Sequence, residues 1–268
     1  FVIKIYIIFF VIYLTIMIHI VNIYIYNIFK KKYYNIIKMN KNIPFIFTII
    51  TIIGNYGIPK YYNKSVGYLA EENKLEVQPA RWAFPIIWTL IYSGLIYLTY
   101  KISNGTISWN NKSYVFYISS CVFNLLWLNY WLSERLQISQ FILIGLVISL
   151  GLLWYENIGF NNNIIYQNII ATYLSWTVGA SLLNIFIVNK TDNITSSNTV
   201  IYLLSIFQIL WQIIQNKPDE VKDSIMFPIV GVYTSFGIAL NQSKCLGQLK
   251  ILPLIVSLIC TLIHYNKL

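Results

Sequence analysis

Aromatic and amide side chains recur at helical spacing in the apolar segments of this chain. Trp88 and Tyr92 are four residues apart, and Asn124 and Trp127 are three apart, so each pair lies on one face of a helix. An amide in hydrocarbon needs a partner, so Asn124 is expected to face the interior of a bundle. Such side chains could line a binding site for an apolar ligand. An interfacial aromatic belt and an interhelical hydrogen bond worth about 1 kcal/mol are the open alternatives.

A third segment combines small residues with a large aromatic residue and an amide. Ser175 and Gly179 belong to a stripe of small residues, which favours close contact between helices. Trp176, Ala180 and Asn184 form the adjacent stripe at four-residue spacing. The aromatic ring, the space beside the alanine and the amide would together shape one wall of a pocket. Close packing alone also explains the small stripe, so both interpretations remain open.

The chain contains no residue pattern typical of catalysis or metal binding. No Asp or Glu lies within an apolar run, which argues against a proton-coupled carrier. The GxSxG, HExxH and glycine-rich phosphate-loop signatures are absent. His19 and His264 are isolated, and the three cysteines lie far apart in the sequence. We therefore predict no catalytic residue, no metal site and no enzymatic activity. Binding or transport of an apolar ligand, or a structural role, is favoured instead.

The composition is that of an integral membrane protein. Of the 268 residues, 57% are hydrophobic and 10% are charged, whereas soluble domains carry about 25% charged residues. The net charge of +10 is attributed to lysines in loops that flank the membrane, so no nucleic-acid partner is expected. The positive charges divide almost evenly between the two sides of the predicted topology. The orientation and the identity of the membrane are therefore left open.

Continuous apolar runs separated by polar breaks predict helices that span the bilayer. A spanning helix needs about 20 apolar residues, and barrel strands would alternate in polarity. We predict an all-α, polytopic transmembrane bundle of eight or nine spans without a sheet. The runs are 5–29, 43–58, 82–100, 113–132, 136–155, 164–189, 199–215, 225–242 and 249–265.

The connection 59–81 is the long charged loop between two of these runs. Long loops in compact folds are often functional. Proline is tolerated in the first turn of a helix, where its missing N–H has no partner, so Pro85 predicts that a helix begins near Trp82. We expect the loop to pack over the opening between this helix and its neighbours.

The three segments together resemble the TspO/MBR family, which includes the translocator protein and the bacterial tryptophan-rich sensory proteins. Residues 79–92 resemble its PxxWxFPxxWTxxY motif, Asn124 and Trp127 its NxxW motif, and residues 173–184 its YLxWxxxAxxLN motif, all in the family order. The resemblance covers residues 43–189. The loop after Asn55 and the further C-terminal runs are similar to the long branch of the family. The implied organisation is an N-terminal anchor and basic linker, a five-helix domain and additional C-terminal helices, at 1–42, 43–190 and 191–268.

The resemblance implies a pocket for tetrapyrroles, sterol-like lipids or synthetic aromatic ligands. In that pocket, tryptophan rings would stack on the ligand and Asn124 would orient it, without histidine coordination of a haem iron. The chain departs from the family at Pro79, where a double proline is usual, and after Asn184, where the cholesterol motif needs a tyrosine. Sterol binding is therefore not predicted. The implied ligand-binding residues are Trp88, Tyr92, Asn124, Trp127, Trp176 and Ala180.

The leading functional hypothesis is a membrane protein that binds a porphyrin, another aromatic molecule or a lipid for transport or sensing. The alternative is a structural subunit of a membrane assembly that uses the same aromatic faces for helix packing. An enzyme that degrades the porphyrin has no independent support in the sequence. The lipid bilayer and an apolar small molecule are the expected partners, and a homodimer is an additional possibility.

Overall fold

The computed structural model describes residues 39–67, 79–157, 164–188 and 226–241, together with Leu203 and Ile259. The helices below belong to the unit Lys41–Leu268. The described ranges form helices and contain no strand, which confirms the all-α prediction. They are α1 Ile43–Tyr62, α2 Ala83–Ser103, α3 Asn111–Leu132, α4 Leu136–Asn157, α5 Ile164–Val188 and α6 Met226–Asn241.

Five of these helices, α1 to α5, are long and apolar enough to cross a membrane. Their lengths of 20 to 25 residues correspond to about 30 Å or more at 1.5 Å per residue, the thickness of the hydrocarbon core. The predicted run 225–242 also forms a helix, α6, which has 16 residues. The predicted spans 5–29, 199–215 and 249–265 lie outside the described residues, apart from Leu203 and Ile259.

The first helix continues beyond the predicted apolar run 43–58. It includes Pro59 and ends at Tyr62. Proline lacks the N–H that would donate to the carbonyl oxygen of Asn55, so the helix loses this one hydrogen bond and continues for only three more residues. Asn63, in the left-handed conformation (φ 51°), then ends the helix, and its N–H donates to the carbonyl oxygen of Lys60 at 3.2 Å.

The start of α2 agrees with the prediction from its proline. Trp82 precedes the first helical residue, Ala83, and Pro85 lies in the first turn. In α3 the first turn is capped by Asn110, whose side-chain oxygen accepts a hydrogen bond from the N–H of Ser113 at 2.8 Å. The starting residues of α2 and α3 determine how deep in the bundle each of their side chains lies.

Helices α1 to α5 pack as a closed ring. Helix α1 contacts α2 and α3, α3 contacts α4, α4 contacts α5, and α5 contacts α2. Helix α5 is the most enclosed of the five, because 83% of an apolar 18-residue stretch of this helix is buried. The corresponding share for α1 is 17%, and α1 exposes an isoleucine face that includes Ile46 and Ile53. The small residues of α5 therefore lie at the centre of the bundle, and the isoleucine face of α1 is suited to lipid.

Helix α6 packs against α5 and against the beginning of α2. The N–H of Ala80 donates to the carbonyl oxygen of Gly237 at 2.8 Å, and the hydroxyl of Tyr233 donates to the carbonyl oxygen of Ala83 at 2.8 Å. The ring of Tyr233 also meets Trp82 edge-to-face at 5.8 Å. A helix beyond the five-helix ring is thereby joined to the same end of α2 that contributes to the candidate site.

Replacement of Gly237 with leucine is expected to weaken the docking of α6. A Cβ atom at this position would lie 3.1 Å from the Cβ of Pro79 and 3.5 Å from the Cβ of Ala83. The remaining leucine atoms have no room there, and overpacking typically costs about 1–3 kcal/mol. Thermal unfolding of the detergent-solubilised protein measures this loss. Gly151→Leu is the matched control, because a Cβ added at Gly151 meets no atom within 4 Å. Equal stability of the two variants would contradict the observed docking of α6.

Candidate ligand-binding site

A cavity of about 50 Å³ lies among α2, α3, α5 and the segment that follows α1. Its walls are apolar and aromatic except for one amide, and they include no charged side chain. Its lining residues are Val66, Phe84, Trp127, Trp131, Ala180, Leu183, Asn184 and Ile187.

Two of the six predicted ligand-binding residues, Trp127 and Ala180, line this cavity. Trp127 from α3 is 7% exposed, and its indole Nε1–H has no hydrogen-bond partner among the described residues. Ala180 from α5 is half-buried and contributes a small side chain to the same cavity. Residues of the second and third sequence motifs thus line one cavity.

Trp88 and Tyr92 lie behind Trp127 and do not line the cavity. The ring of Trp88 stacks on Tyr92 at 5.3 Å and on Trp127 at 6.2 Å. Trp127 is in turn 6.4 Å from Trp131. The four rings form a continuous aromatic column from α2 to α3, in which any displacement of Trp127 must also move its neighbours.

Asn124 faces the interior, as predicted, but it pairs with protein groups. It is completely buried, its Nδ2 donates to the hydroxyl of Tyr173 at 2.8 Å, and its Oδ1 accepts from Nδ2 of Asn55 at 2.6 Å. This single amide joins α1, α3 and α5 by hydrogen bonds. The interhelical interpretation describes this geometry, and a contact between Asn124 and a ligand stays a prediction.

Trp176 is one layer behind the cavity wall. It is 2% exposed and meets Phe84 edge-to-face at 5.5 Å. Phe84 itself lines the cavity. Trp176 can therefore position Phe84, and its own contact with a ligand stays a prediction.

Sequence reasoning identified Trp127, Ala180 and Asn184 in this lining but did not select the other five lining residues as ligand-binding residues. Helical spacing could have indicated the missed residues of α3 and α5. Trp131 follows Trp127 by four residues, and Leu183, Asn184 and Ile187 follow Ala180 by three, four and seven. The remaining two come from segments whose position depends on the fold. The lining residues missed are Val66, Phe84, Trp131, Leu183 and Ile187.

The segment after α1 lies against the end of α3, next to the cavity. The indole Nε1 of Trp131 donates to the carbonyl oxygen of Val66 at 3.0 Å, and the hydroxyl of Tyr62 donates to Oδ1 of Asn129 at 3.0 Å. Lys64 also pairs with Glu134 in the turn between α3 and α4. The beginning of the predicted lid thus contacts the cavity wall, while residues 68–78 of the same loop lie outside the described residues.

Replacement of Trp131 with phenylalanine is expected to loosen this segment. Phenylalanine keeps an aromatic ring but removes the donor that pairs with Val66, and one such hydrogen bond contributes about 0.5–1.5 kcal/mol. Limited proteolysis of the 59–81 loop should become several-fold faster. Glu134→Gln tests another contact of the same segment, the ion pair with Lys64, which is expected to contribute less, about 0–1 kcal/mol. Unchanged proteolysis of the Trp131 variant would show that the indole hydrogen bond does not hold the segment.

The two histidines, His19 and His264, lie outside the described residues. The expectation that a haem iron would have no histidine ligand therefore stays a prediction.

Comparison with known proteins agrees with the architecture. A family model for TSPO-like proteins matches residues 40–265, which include the five-helix ring and α6. No curated protein and no solved structure shows a significant match to the chain.

Proposed function

The chain belongs to the TSPO-like family, and from this premise we propose that it binds an apolar ligand in the cavity between α2, α3 and α5. The observation that carries the proposal is that Trp127 and Ala180 line one cavity. These two residues belong to different motifs and are 53 positions apart in the sequence. A mostly apolar and aromatic lining with a few polar groups is the usual composition of a small-molecule site.

The protein is an integral, multi-pass membrane protein, and its ligand reaches the site from an apolar environment. Five helices are long and apolar enough to span the bilayer, and the outer face of α1 is exposed. A lipid or an aromatic molecule dissolved in the membrane has the polarity that these walls accept. We propose that the protein carries or senses such a molecule and performs no chemical step on it. A homodimer stays a prediction.

The size of the cavity favours a slender ligand over a macrocycle. Its volume is about 50 Å³, whereas sites for drug-sized molecules measure about 300–1,000 Å³. A single aromatic ring or an acyl chain needs less additional space than a tetrapyrrole. A larger ligand would have to displace more of the aromatic rings, because Trp88 stacks on Trp127. Binding of either kind must change the environment of Trp127.

A structural role is the second candidate function. The full pairing of Asn124 and the stacking of Trp88 between Tyr92 and Trp127 favour it, because both arrangements stabilise helix packing without a ligand. In that case the protein would be a subunit of a membrane assembly.

Tryptophan fluorescence distinguishes the two functions. The purified protein is titrated with protoporphyrin, with a fatty acid and with cholesterol, and the expected result is saturable quenching by at least one of them. The Trp127→Phe variant should lose much of the signal change. Trp82→Phe should retain it, because Trp82 is exposed at the start of α2 and does not line the cavity. Quenching that rises linearly with every compound and is equal in both variants would reject the binding function.

A further inference from the structure

The first turn of α2 is held by α6 rather than by a side-chain cap. No side chain caps this end of α2, whereas Asn110 caps the start of α3. Instead, the hydroxyl of Tyr233 donates to the carbonyl oxygen of Ala83 at 2.8 Å, and the N–H of Ala80 donates to the carbonyl oxygen of Gly237 at 2.8 Å. Two hydrogen bonds to a helix beyond the five-helix ring thus fix the start of α2.

The two helices also touch closely at these residues. A Cβ atom placed on Gly237 would lie 3.1 Å from the Cβ of Pro79 and 3.5 Å from the Cβ of Ala83. Gly237 and Ala83 are buried, so neither lipid nor water enters between them. On the outer side, the ring of Trp82 meets Tyr233 edge-to-face at 5.8 Å. The contact therefore needs a glycine in α6 and a tyrosine one turn earlier.

The turn that α6 holds carries one wall of the cavity. Phe84 directly follows Ala83 and lines the cavity. Trp127 and Trp131 of the same lining are buried, but Phe84 is only half-buried, so it is the aromatic wall nearest the outside of the bundle. Its ring rests on Trp176 of α5 at 5.5 Å. An outward movement of the first turn of α2 would lift Phe84 from Trp176 and widen the cavity on its exposed side.

From this arrangement we propose that Tyr233 is a positioning residue of the binding site and that α6 acts through it as a latch. The latch is the contact of Tyr233 and Gly237 with Ala80 and Ala83. While it is closed, Phe84 closes the outer side of the cavity, and when it opens, ligand enters or leaves. This inference rests on the proposed binding function and adds the regulation of the same site.

The latch sets the rates of binding more than the affinity. The cavity lining includes no residue of α6, so α6 does not distinguish the ligand-bound from the ligand-free closed state. A contact that must open only during passage raises the barrier equally for entry and release. Weakening the latch should therefore raise both rate constants together and leave their ratio nearly unchanged.

Hydrogen exchange of the ligand-free protein in micelles tests the latch itself. Tyr233→Phe removes the hydroxyl but keeps the ring against Trp82. The backbone amides of residues 80–88 should exchange roughly 2- to 12-fold faster, as expected for the loss of one hydrogen bond, while the amides of α4 keep their rates. Tyr97→Phe is the matched control, because Tyr97 is an exposed tyrosine of the same helix α2. Equal exchange in Tyr233→Phe and the wild type would overturn the latch.

A disulfide provides the opposite change. The Cβ positions of residues 83 and 237 are 3.5 Å apart, within the range of about 3.5–4.5 Å found in disulfides. Ala83→Cys combined with Gly237→Cys should therefore form a bond across the latch when oxidised glutathione accepts the two electrons and two protons. Cys245 and Cys260 are replaced by serine in this variant and in its reference protein. Failure of the bond to form would contradict the close contact and overturn the latch.

Stopped-flow quenching of tryptophan fluorescence measures the effect on binding. The probe is N-phenyl-1-naphthylamine, an uncharged aromatic molecule. Tyr233→Phe should raise its association and dissociation rate constants by the same factor of roughly 2 to 12, with nearly the same dissociation constant. The disulfide should lower both rate constants, and reduction with dithiothreitol should restore them in the same sample. A merely structural role of Tyr233 would not produce this common change of both rates.

The outcomes separate the latch from the binding function. Faster hydrogen exchange in Tyr233→Phe without faster ligand kinetics would overturn the positioning role and leave the binding function intact. A disulfide that forms but leaves both rate constants unchanged would have the same meaning. Absence of saturable quenching in the wild type would instead reject the binding function and the positioning role with it, even if the exchange result holds.

Discussion

Replacement of Ala180 with leucine is expected to reduce ligand affinity by about 5- to 150-fold. Ala180 and Trp127 both line a cavity of about 50 Å³, and leucine at position 180 adds three heavy atoms to that lining. Overpacking typically costs about 1–3 kcal/mol, which becomes the stated loss of affinity if the cost arises only when the ligand is bound. The dissociation constant from tryptophan fluorescence measures the effect.

The ligand-free Ala180→Leu protein should keep its thermal stability, because the added atoms enter existing space. Ser93→Leu is the matched control, since it adds similar bulk at an exposed position of α2 and should leave both affinity and stability unchanged. The prediction fails if Ala180→Leu unfolds the ligand-free protein and the wild type shows no saturable binding. The region would then be packed core, and the structural-subunit function would be the better explanation.

Replacement of Asn124 with leucine is expected to lower the free energy of unfolding by about 1–3 kcal/mol. The substitution leaves Nδ2 of Asn55 without its bond to Asn124 and the hydroxyl of Tyr173 without its donor. A buried polar group that loses its partner lowers the stability of the fold by about 1–3 kcal/mol. The average contribution of a hydrogen bond between membrane helices is smaller, about 0.6 kcal/mol. Equilibrium unfolding in mixed micelles measures the change.

A double-mutant cycle separates the hydrogen bond from the loss of packing. Tyr173→Phe removes only the hydroxyl that accepts from Asn124, so it should cost less than Asn124→Leu. In the double variant the two costs should not add, because the second substitution removes a group that the first has already left unpaired. Additive costs would indicate that the Asn124–Tyr173 bond makes no net contribution.

The sequence alone determined the elements and their inward faces. Continuous apolar runs predicted the helices, and Pro85 placed the start of α2 correctly because the first turn is where a helix accommodates proline most readily. The four-residue spacing of Trp88 and Tyr92 predicted a shared face, and their rings stack at 5.3 Å. The inward direction of Asn124 followed from the cost of an amide in hydrocarbon. Each of these inferences depends on the geometry of a single helix or on the solvent around it.

Only the tertiary structure decided which of these inward faces meet. Trp127 and Ala180 line the cavity, whereas Trp88 and Trp176 lie one layer behind it and Asn124 is satisfied by other helices. Helical periodicity specifies the direction of a side chain from its own axis, but the distance and rotation between two axes come from the packing of every side chain at their interface. For that reason the sequence could not indicate that Asn124 would find partners on two other helices, whereas the amide of Asn184 would find none among the described residues.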